Sequence, residues 1–477
     1  MKVAVIGGGW AGLSAALHMH RAGLQVTVFE AARTLGGRAR SIYSPSLDAT
    51  IDNGQHILLG AYTDTLELIK SLGLDVESML YRTPLSLHSA DGLFALRTPA
   101  LPAPFHLLGA ILGARGLSLT ERVRLIALNH RLQKENWTTP PGWTVAQWLK
   151  NGRQSQHVVR QFWRPLCIAA LNTPVEEACA QLLANVLRDS LGGPKTASAM
   201  LIPRVSLSGL WPEHLPAEIT IRSGHAVRRL ASHAAYVEVD NERYDAAVVA
   251  TNAPSAHRLL KQLNNSASAA AQEIPVPKNI TRSPDEKQQF LEMLAAFDYI
   301  PIATVTLALA EPWRLPYPML MLTESPQRSQ FGQWLFDLSL FMNGSGQLHR
   351  SEAQDSQIAR QATFDQNERS MLTVVISDAR ALGELPRDRV VAGVITQIEE
   401  QTRQFPAMPK ITGHELIVEK RATFAAVPNL QRPANATPWP RVWVAGDWTD
   451  TGYPAVLEGA IRSGKAAANQ VLGTRIL

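Results

Sequence analysis

The stretch AVIGGGWAGLSAALHMHRAGLQVTVFEAARTLGGRAR, residues 4–40, decides the fold. Residues 3–6, VAVI, are apolar and partly β-branched, which suits a short strand buried on both faces. Gly7, Gly9 and Gly12 follow as G-x-G-x-x-G. In this pattern the first glycine permits a tight turn, the second lets a pyrophosphate approach the backbone, and the third lets the helix pack closely on the strand. Unpaired N–H groups and the positive end of the helix dipole favour an anion there. Leu13, Ala16 and Leu17 continue at helical spacing, Gly23 ends the helix, and Val26 to Phe29 returns as a second strand. Glu30 closes that strand 18 positions after Gly12 (30 − 12), where a carboxylate binds ribose hydroxyls. A lone glycine triplet is common, but a strand, turn, helix, strand and terminal acid in this order point to a dinucleotide.

The chain has 477 residues, enough for two or three domains and a sizeable core. With 45% hydrophobic and 18% charged residues it is a folded protein, not a disordered one. Its net charge of +5 (46 − 41) reads as a mild excess spread along the chain and gives no indication of nucleic acid. Nucleotide phosphates or an anionic membrane surface are the partners such a charge suits. Cys167 and Cys179 are the two cysteines, which excludes a disulfide scaffold and favours buried thiols. Val3 already belongs to the first strand, so no secretory signal is expected, and no window reaches the ~18 apolar residues of a spanning helix. The expectation is a cytosolic or peripheral protein; no metal ligands are assigned.

Two later segments return to the nucleotide-binding pattern. IRSGHAVRRL (221–230) precedes YDAAVVATNAP (244–254), whose residues 246–250 form a second buried-strand run. VWVAGDWTDTGYPAVLEGAIRSGKAAANQVL (442–472) reads as a strand, a Gly-Asp turn and a small-residue helix. Three separated pieces imply a discontinuous domain. Residues 80–200 read as largely helical, with 120–132 and 173–191 amphipathic, while 295–310 and 371–378 are β-rich. Residues 264–289 lack a periodic apolar pattern and read as a surface loop.

The run from Val3 through Glu30 to Gly36-Gly37-Arg38, with the closing VWVAGDWTDTGYPAVLEGAIRSGKAAA, resembles the FAD-dependent amine oxidase and phytoene desaturase superfamily. IDNGQHILLGAY (51–62), FWRPLCIAALNTP (162–174) and GDWTDTGYPAVLEGA resemble its squalene-associated branch, the hydroxysqualene dehydroxylases. The resemblance implies an α/β fold with a discontinuous Rossmann-like FAD-binding domain (1–79, 201–262 and 415–477). It also implies a mixed α+β substrate domain with a helical lobe (80–200 and 263–414). It places Gly7, Gly9 and Gly12 at the pyrophosphate, Glu30 at the adenosine ribose, Val227 at adenine through its backbone, and Gly37 and Arg38 at the phosphates or the flavin side. Asp447, after Gly446, falls near the ribityl or pyrophosphate oxygens; the alternative is a turn or capping aspartate. With no cysteine beyond 179, a thioether to the flavin from the C-terminal segment is excluded.

The activity implied is reductive replacement of the allylic hydroxyl of hydroxysqualene, giving squalene for bacterial hopanoid formation, with hydride from reduced flavin. The alternative is a carotenoid desaturase or amine oxidase, running the flavin in the opposite direction. Hydroxide leaves poorly, so an acid is needed. His56 is the first candidate, since an imidazole can be protonated near neutral pH; the alternative is a packing histidine bonded to backbone. Asp52, Tyr453 and Tyr62 are further candidates. The partner implied is a lipophilic isoprenoid; the sequence names no electron donor. Residues 101–134 place LLGAILG before Arg115, Arg122, Arg124 and Arg131, which suits either a membrane interface or an ordinary core helix pair.

Overall fold

A computed structural model of the chain describes residues 1–266, 284–313, 315–338, 370–383 and 385–474. The opening unit forms as its glycine and apolar spacing requires: β1 (Lys2–Ile6), α1 (Trp10–Arg21) and β2 (Gln25–Glu30). β3 (Thr220–Ser223), β4 (Ala246–Val249) and β5 (Val442–Val444) complete a five-stranded parallel sheet in the order β3-β2-β1-β4-β5. The fold is therefore an α/β Rossmann-like one whose sheet is assembled from three distant chain segments. β1 lies between β2 and β4, so the strand order reverses beside it, and the crevice at such a reversal is where open parallel sheets bind ligands.

α2 (Leu457–Gly473) follows β5 and packs against α1. Small residues make this close approach possible: Ala11, Ser14 and Ala15 on α1 meet Gly464 on α2, and the Ser14 hydroxyl donates to the Ile461 carbonyl at 3.1 Å. The burial of Leu13, Leu17, Ile461 and Val471 supplies the apolar side of this packing, each about 1.5–3 kcal/mol.

A second five-stranded sheet is antiparallel, in the order Met319–Met321, Trp334–Asp337, Ser370–Ile376, Tyr299–Leu309, Ile411–Phe424. The 14-residue strand Ile411–Phe424 crosses position 415, so residues 415–424 pair with this sheet. Above it stands a lobe of helices, Phe105–Leu112, Leu119–Lys134, Val145–Asn151, Arg164–Leu171 and Ala180–Leu191.

Three expectations change. Residues 80–200 are not helical throughout, since Leu80–Thr83, Ser86–His88 and Ala95–Arg97 form short strands. The helix expected from Thr173 starts at Ala180, because the backbone of Val175, Ala178 and Cys179 pairs with Ala146, Val145 and Ala426 instead. The loop expected over 264–289 is helical at both margins, in Ala253–Ser266 and Pro284–Ala295, while 267–283 lie outside the described residues.

Candidate active site

The site begins at the carboxyl ends of β1 and β5. Gly7 has φ +116°, and a Cβ on Gly12 would sit 1.9 Å from the Gly7 carbonyl oxygen, so strand and helix touch there through backbone alone. Gly9 caps α1 without any side-chain hydrogen bond, and the first turn of α1 carries no acidic residue. Its N–H groups are therefore left for an anion. Gly37 (φ +62°) comes so close that a Cβ on it would lie 3.0 Å from the Gly9 Cα. The Gly36 N–H donates to the Gly8 carbonyl at 2.8 Å, so the two glycine loops form one cradle.

Glu30 ends β2 and accepts the Gly8 N–H (2.6 Å) and the Ala32 N–H (2.7 Å), one on each carboxylate oxygen. Each oxygen keeps a lone pair for a further donor. The segment carrying Val227 runs alongside, since the His225 N–H donates to the Glu30 backbone carbonyl and the Gly224 N–H to that of Ala32.

Across the cradle, Arg38 Nη2 pairs with Asp447 Oδ1 at 2.6 Å and Nη1 donates to the Ala422 carbonyl at 2.7 Å. Asp447 is 5% exposed. Arg38 lies deep in the protein yet keeps 34% of its side chain accessible, as a group lining an internal cleft does. Burial opposes its charge, but the Asp447 carboxylate overrides that and holds the guanidinium protonated. Gly446 donates its N–H to the Ser463 hydroxyl at 2.9 Å, tying the turn to α2.

His56 lies near enough to Arg38 to feel its charge. Its Nδ1 hydrogen-bonds to the Gly54 carbonyl at 2.7 Å and so carries the proton of the neutral ring. Burial first, then the Arg38 charge, push its pKa below the ordinary value, against the Gly54 carbonyl. Asp52 is held elsewhere: its Oδ1 accepts the Ser41 hydroxyl (2.7 Å) and the Leu207 N–H (2.9 Å). Burial raises its pKa to about 6 in spite of those bonds. The Tyr453 phenol donates to Asp189, and the Arg462 guanidinium lies 4.6 Å from its ring centre. Its pKa is driven up by burial and then by Asp189. Tyr62 is likewise raised by burial, then by Glu458. The structure thus gathers Gly7, Gly9, Gly12, Glu30, Gly37, Arg38, Gly446 and Asp447 at one end of the parallel sheet, with the Val227 segment alongside and His56 within reach of the Arg38 charge, while Asp52 and Tyr453 have other partners.

The raised Asp52 pKa has a testable consequence. The folded state binds the proton more tightly than the unfolded one, so stability falls by about 3 kcal/mol as pH rises from about 4 to about 6. Asp52→Asn keeps an acceptor for both bonds and is expected to remove this slope in urea unfolding across that range. An unchanged slope would place its origin elsewhere.

Four residues escaped the sequence reading. The Tyr299 phenol oxygen accepts the Ala253 N–H at 3.1 Å, and burial, then Asp447, raise its pKa to about 12. Asn53 donates to the Arg38 carbonyl (3.2 Å) and to Glu419 (3.3 Å). Arg432 gathers the carbonyls of Asp447, Trp448, Thr449 and Tyr453, fixing the loop that carries Asp447. Fully buried Glu458, in the first turn of α2, turns away to the N–H groups of Asp64 and Thr65 and to Arg462. Asn53 and Glu458 lie inside blocks quoted above without being singled out there, and Tyr299 and Arg432 stand in no recognisable motif.

Residues 10–472 match the family model described as flavin containing amine oxidoreductase. The chain belongs to the flavin-containing amine oxidoreductases. It is 28% identical to a hydroxysqualene dehydroxylase from Rhodopseudomonas palustris over 98% of both chains. It is 25% identical to a 15-cis-phytoene desaturase from Synechococcus elongatus over 99% of this chain and 96% of that one. Among solved structures, an oxidoreductase from Methanosarcina mazei shares the fold, with a TM-score of 0.67 at 15% identity, covering 99% of this chain and 100% of that one. As a member of this family the chain is a flavin-dependent oxidoreductase with FAD as its cofactor. The glycine cradle, the uncapped start of α1 and the Arg38–Asp447 pair fit that nucleotide: a backbone surface without side chains for the pyrophosphate, and polar groups beyond it.

Proposed function

We propose that the chain removes the allylic hydroxyl of hydroxysqualene and puts hydrogen in its place, giving squalene. The observation that carries this reading is the near-full-length likeness to hydroxysqualene dehydroxylases, three of which are 25–28% identical to the chain. In this reading Gly7, Gly9 and Gly12 hold the FAD pyrophosphate, Glu30 the ribose, and the Val227 backbone the adenine. Gly37, Arg38, Gly446 and Asp447 line the flavin side. The FAD-binding part comprises residues 1–79, 201–262 and the C-terminal segment, with the rest around the substrate.

FAD, bound and reduced, supplies a hydride. The alcohol gains that hydride and a proton and loses water, so the chain must deliver the proton to the leaving oxygen and keep bulk water from the developing allylic cation. We assign this proton to His56. Its Nδ1–H is committed to Gly54, so a proton for the substrate must ride on Nε2, and the ring must be imidazolium. Its lowered pKa makes that form scarce at neutral pH but strongly acidic. kcat/KM is therefore expected to rise as pH falls from 8 toward and below the ordinary histidine value of about 6.5. His56→Gln is expected to flatten this limb and slow turnover by about 10²–10⁴-fold. A variant with the parent's rate and profile would move the role to Tyr299, whose phenol accepts a backbone N–H and keeps its own proton free to donate.

A long hydrocarbon substrate reaches an enzyme from lipid, so the protein works peripherally at the cytoplasmic face of the inner membrane. Among the described residues no helix is long and apolar enough to cross a membrane. The electron donor is a separate reductant. Product analysis tests the reading: FAD-loaded protein, hydroxysqualene and a chemical reductant under anaerobic conditions are expected to yield squalene. Unchanged alcohol, with phytoene or an amine instead reducing the oxidised flavin, would favour the desaturase or oxidase direction.

A further inference from the structure

Large hydrophobic side chains are costly to leave in water, and a concentration of them marks a binding surface. Ten such side chains are exposed among the described residues, and seven of them lie between positions 93 and 123: Leu93, Leu101, Phe105, Leu108, Leu112, Leu119 and Val123. Leu93 and Leu119 are the most exposed of them, at 69% and 71%.

The local fold explains why they face outward together. On the helix Phe105–Leu112, spacings of three and four put Phe105, Leu108 and Leu112 on one face, while His106, Leu107 and Ala110 are buried on the other. Leu119 and Val123 share a face of Leu119–Lys134. Arg122 joins the two helices by donating to the Leu112 carbonyl (2.6 Å) and the Leu117 carbonyl (3.1 Å). The Arg115 N–H donates to the Ala95 carbonyl at 2.8 Å, bringing the Leu93 turn to the helix junction, and the Leu101 side chain covers Gly109. A tract 31 residues long in sequence thus makes one continuous apolar surface.

Charge completes the picture. Residues 91–135 contain Arg97, Arg115, Arg122, Arg124, Arg131 and Lys134 against Asp91, Glu121 and Glu135, a net +3 (6 − 3), with Arg131 paired to Glu135 at 2.9 Å. More than half of the chain's net charge of +5 therefore lies in this tract. Glu121 is itself taken up by Ser118, Ser155 and His157. Beneath the helices lies an apolar cavity of about 40 Å³ lined by Leu107, Ile111, Leu125, Leu132 and Trp163.

We propose that the surface built from residues 93–134 docks the protein onto an anionic lipid bilayer, its leucines and Phe105 entering the acyl boundary and its arginines meeting the phosphates. Apolar side chains at helical spacing rimmed by arginines match an interfacial element, and each arginine near an anionic surface strengthens attachment. The proposal names the partner implied by a lipid-derived substrate and rests on that reading, but its test does not depend on turnover.

FAD-loaded protein is mixed with vesicles of phosphatidylcholine alone or with phosphatidylglycerol and sedimented. The protein is expected to follow the anionic vesicles. Phe105→Glu/Leu108→Glu/Leu112→Glu, all exposed positions, is expected to weaken that partition by at least about tenfold at unchanged flavin content. Arg115→Gln/Arg124→Gln is expected to erase the preference for phosphatidylglycerol, and Tyr43→Glu, an exposed aromatic elsewhere, to change nothing. Absence of sedimentation with either vesicle, equal sedimentation of the triple variant, or a dimer that the triple variant breaks would overturn the proposal. Loss of squalene formation with vesicle binding intact would instead strike at the reaction.

Discussion

Purified Gly12→Val protein is expected to come out colourless. A Cβ at this position meets the Gly7 carbonyl oxygen at 1.9 Å and the Ala250 Cβ at 3.0 Å. Gly7 cannot retreat, because its own backbone stands against the Ala250 carbonyl in a conformation that only glycine adopts freely. The valine must therefore push α1 away from β1, which moves the uncapped N–H groups that an FAD pyrophosphate requires. A loss of at least about 3 kcal/mol of FAD binding, more than a hundredfold in affinity, is the expected scale for an electrostatic site whose donors are misplaced. Gly473→Ala, where no neighbour lies within 4 Å, is expected to keep full flavin content. Flavin absorbance per protein in the two variants decides it; a yellow Gly12→Val protein would mean the pyrophosphate is bound elsewhere.

Arg38→Met is expected to have the second-largest effect. It leaves Asp447, 5% exposed, without its closest cation. Removing one partner of a buried pair costs about 3–5 kcal/mol, and the partial accessibility of Arg38 puts this case at the lower end. Arg432 lies near enough to favour the Asp447 charge but reaches the Asp447 backbone carbonyl, not its carboxylate. Arg38→Met/Asp447→Asn is therefore expected to recover much of the urea stability, but not the FAD affinity, because both charges would be gone from the flavin side. A double variant no more stable than the single one would show that Arg38 acts through Ala422 and packing instead.

What the sequence disclosed follows from how local the causes are. The turn at Gly7, the close approach at Gly12 and the acid at the end of β2 are all set within 30 residues, and a reader of spacing finds them. The Arg38–Asp447 pair joins residues 409 apart, so each could be named only by resemblance, and their direct contact not at all. The same holds for Tyr299 and Arg432, whose roles come from strands and loops that meet only in the folded chain. Helix boundaries were missed for a different reason. The Val175 and Ala178 carbonyls accept the Ala146 (2.7 Å) and Val145 (2.8 Å) N–H groups and the Cys179 N–H donates to Ala426 (2.6 Å), and this tertiary demand holds 173–179 out of a helix that periodicity would start at Thr173. Pro284 with Asp285 and Glu286 is a helix start that was legible but outweighed by the aperiodic residues before it. For the proton donor, the chemistry of an imidazole singled out His56, and only the fold shows its ring bonded to Gly54 and its charge opposed by Arg38.

The central claim is the direction of electron flow: from flavin to an allylic alcohol. Its most direct test is anaerobic and needs a single turnover. Protein bearing chemically reduced FAD is mixed with hydroxysqualene in detergent or vesicles, and the flavin absorbance is followed. The account predicts that the yellow oxidised flavin returns, with one squalene formed per flavin. Flavin that stays reduced in the presence of excess hydroxysqualene, in a protein whose oxidised form is bleached by phytoene or an amine, would contradict it.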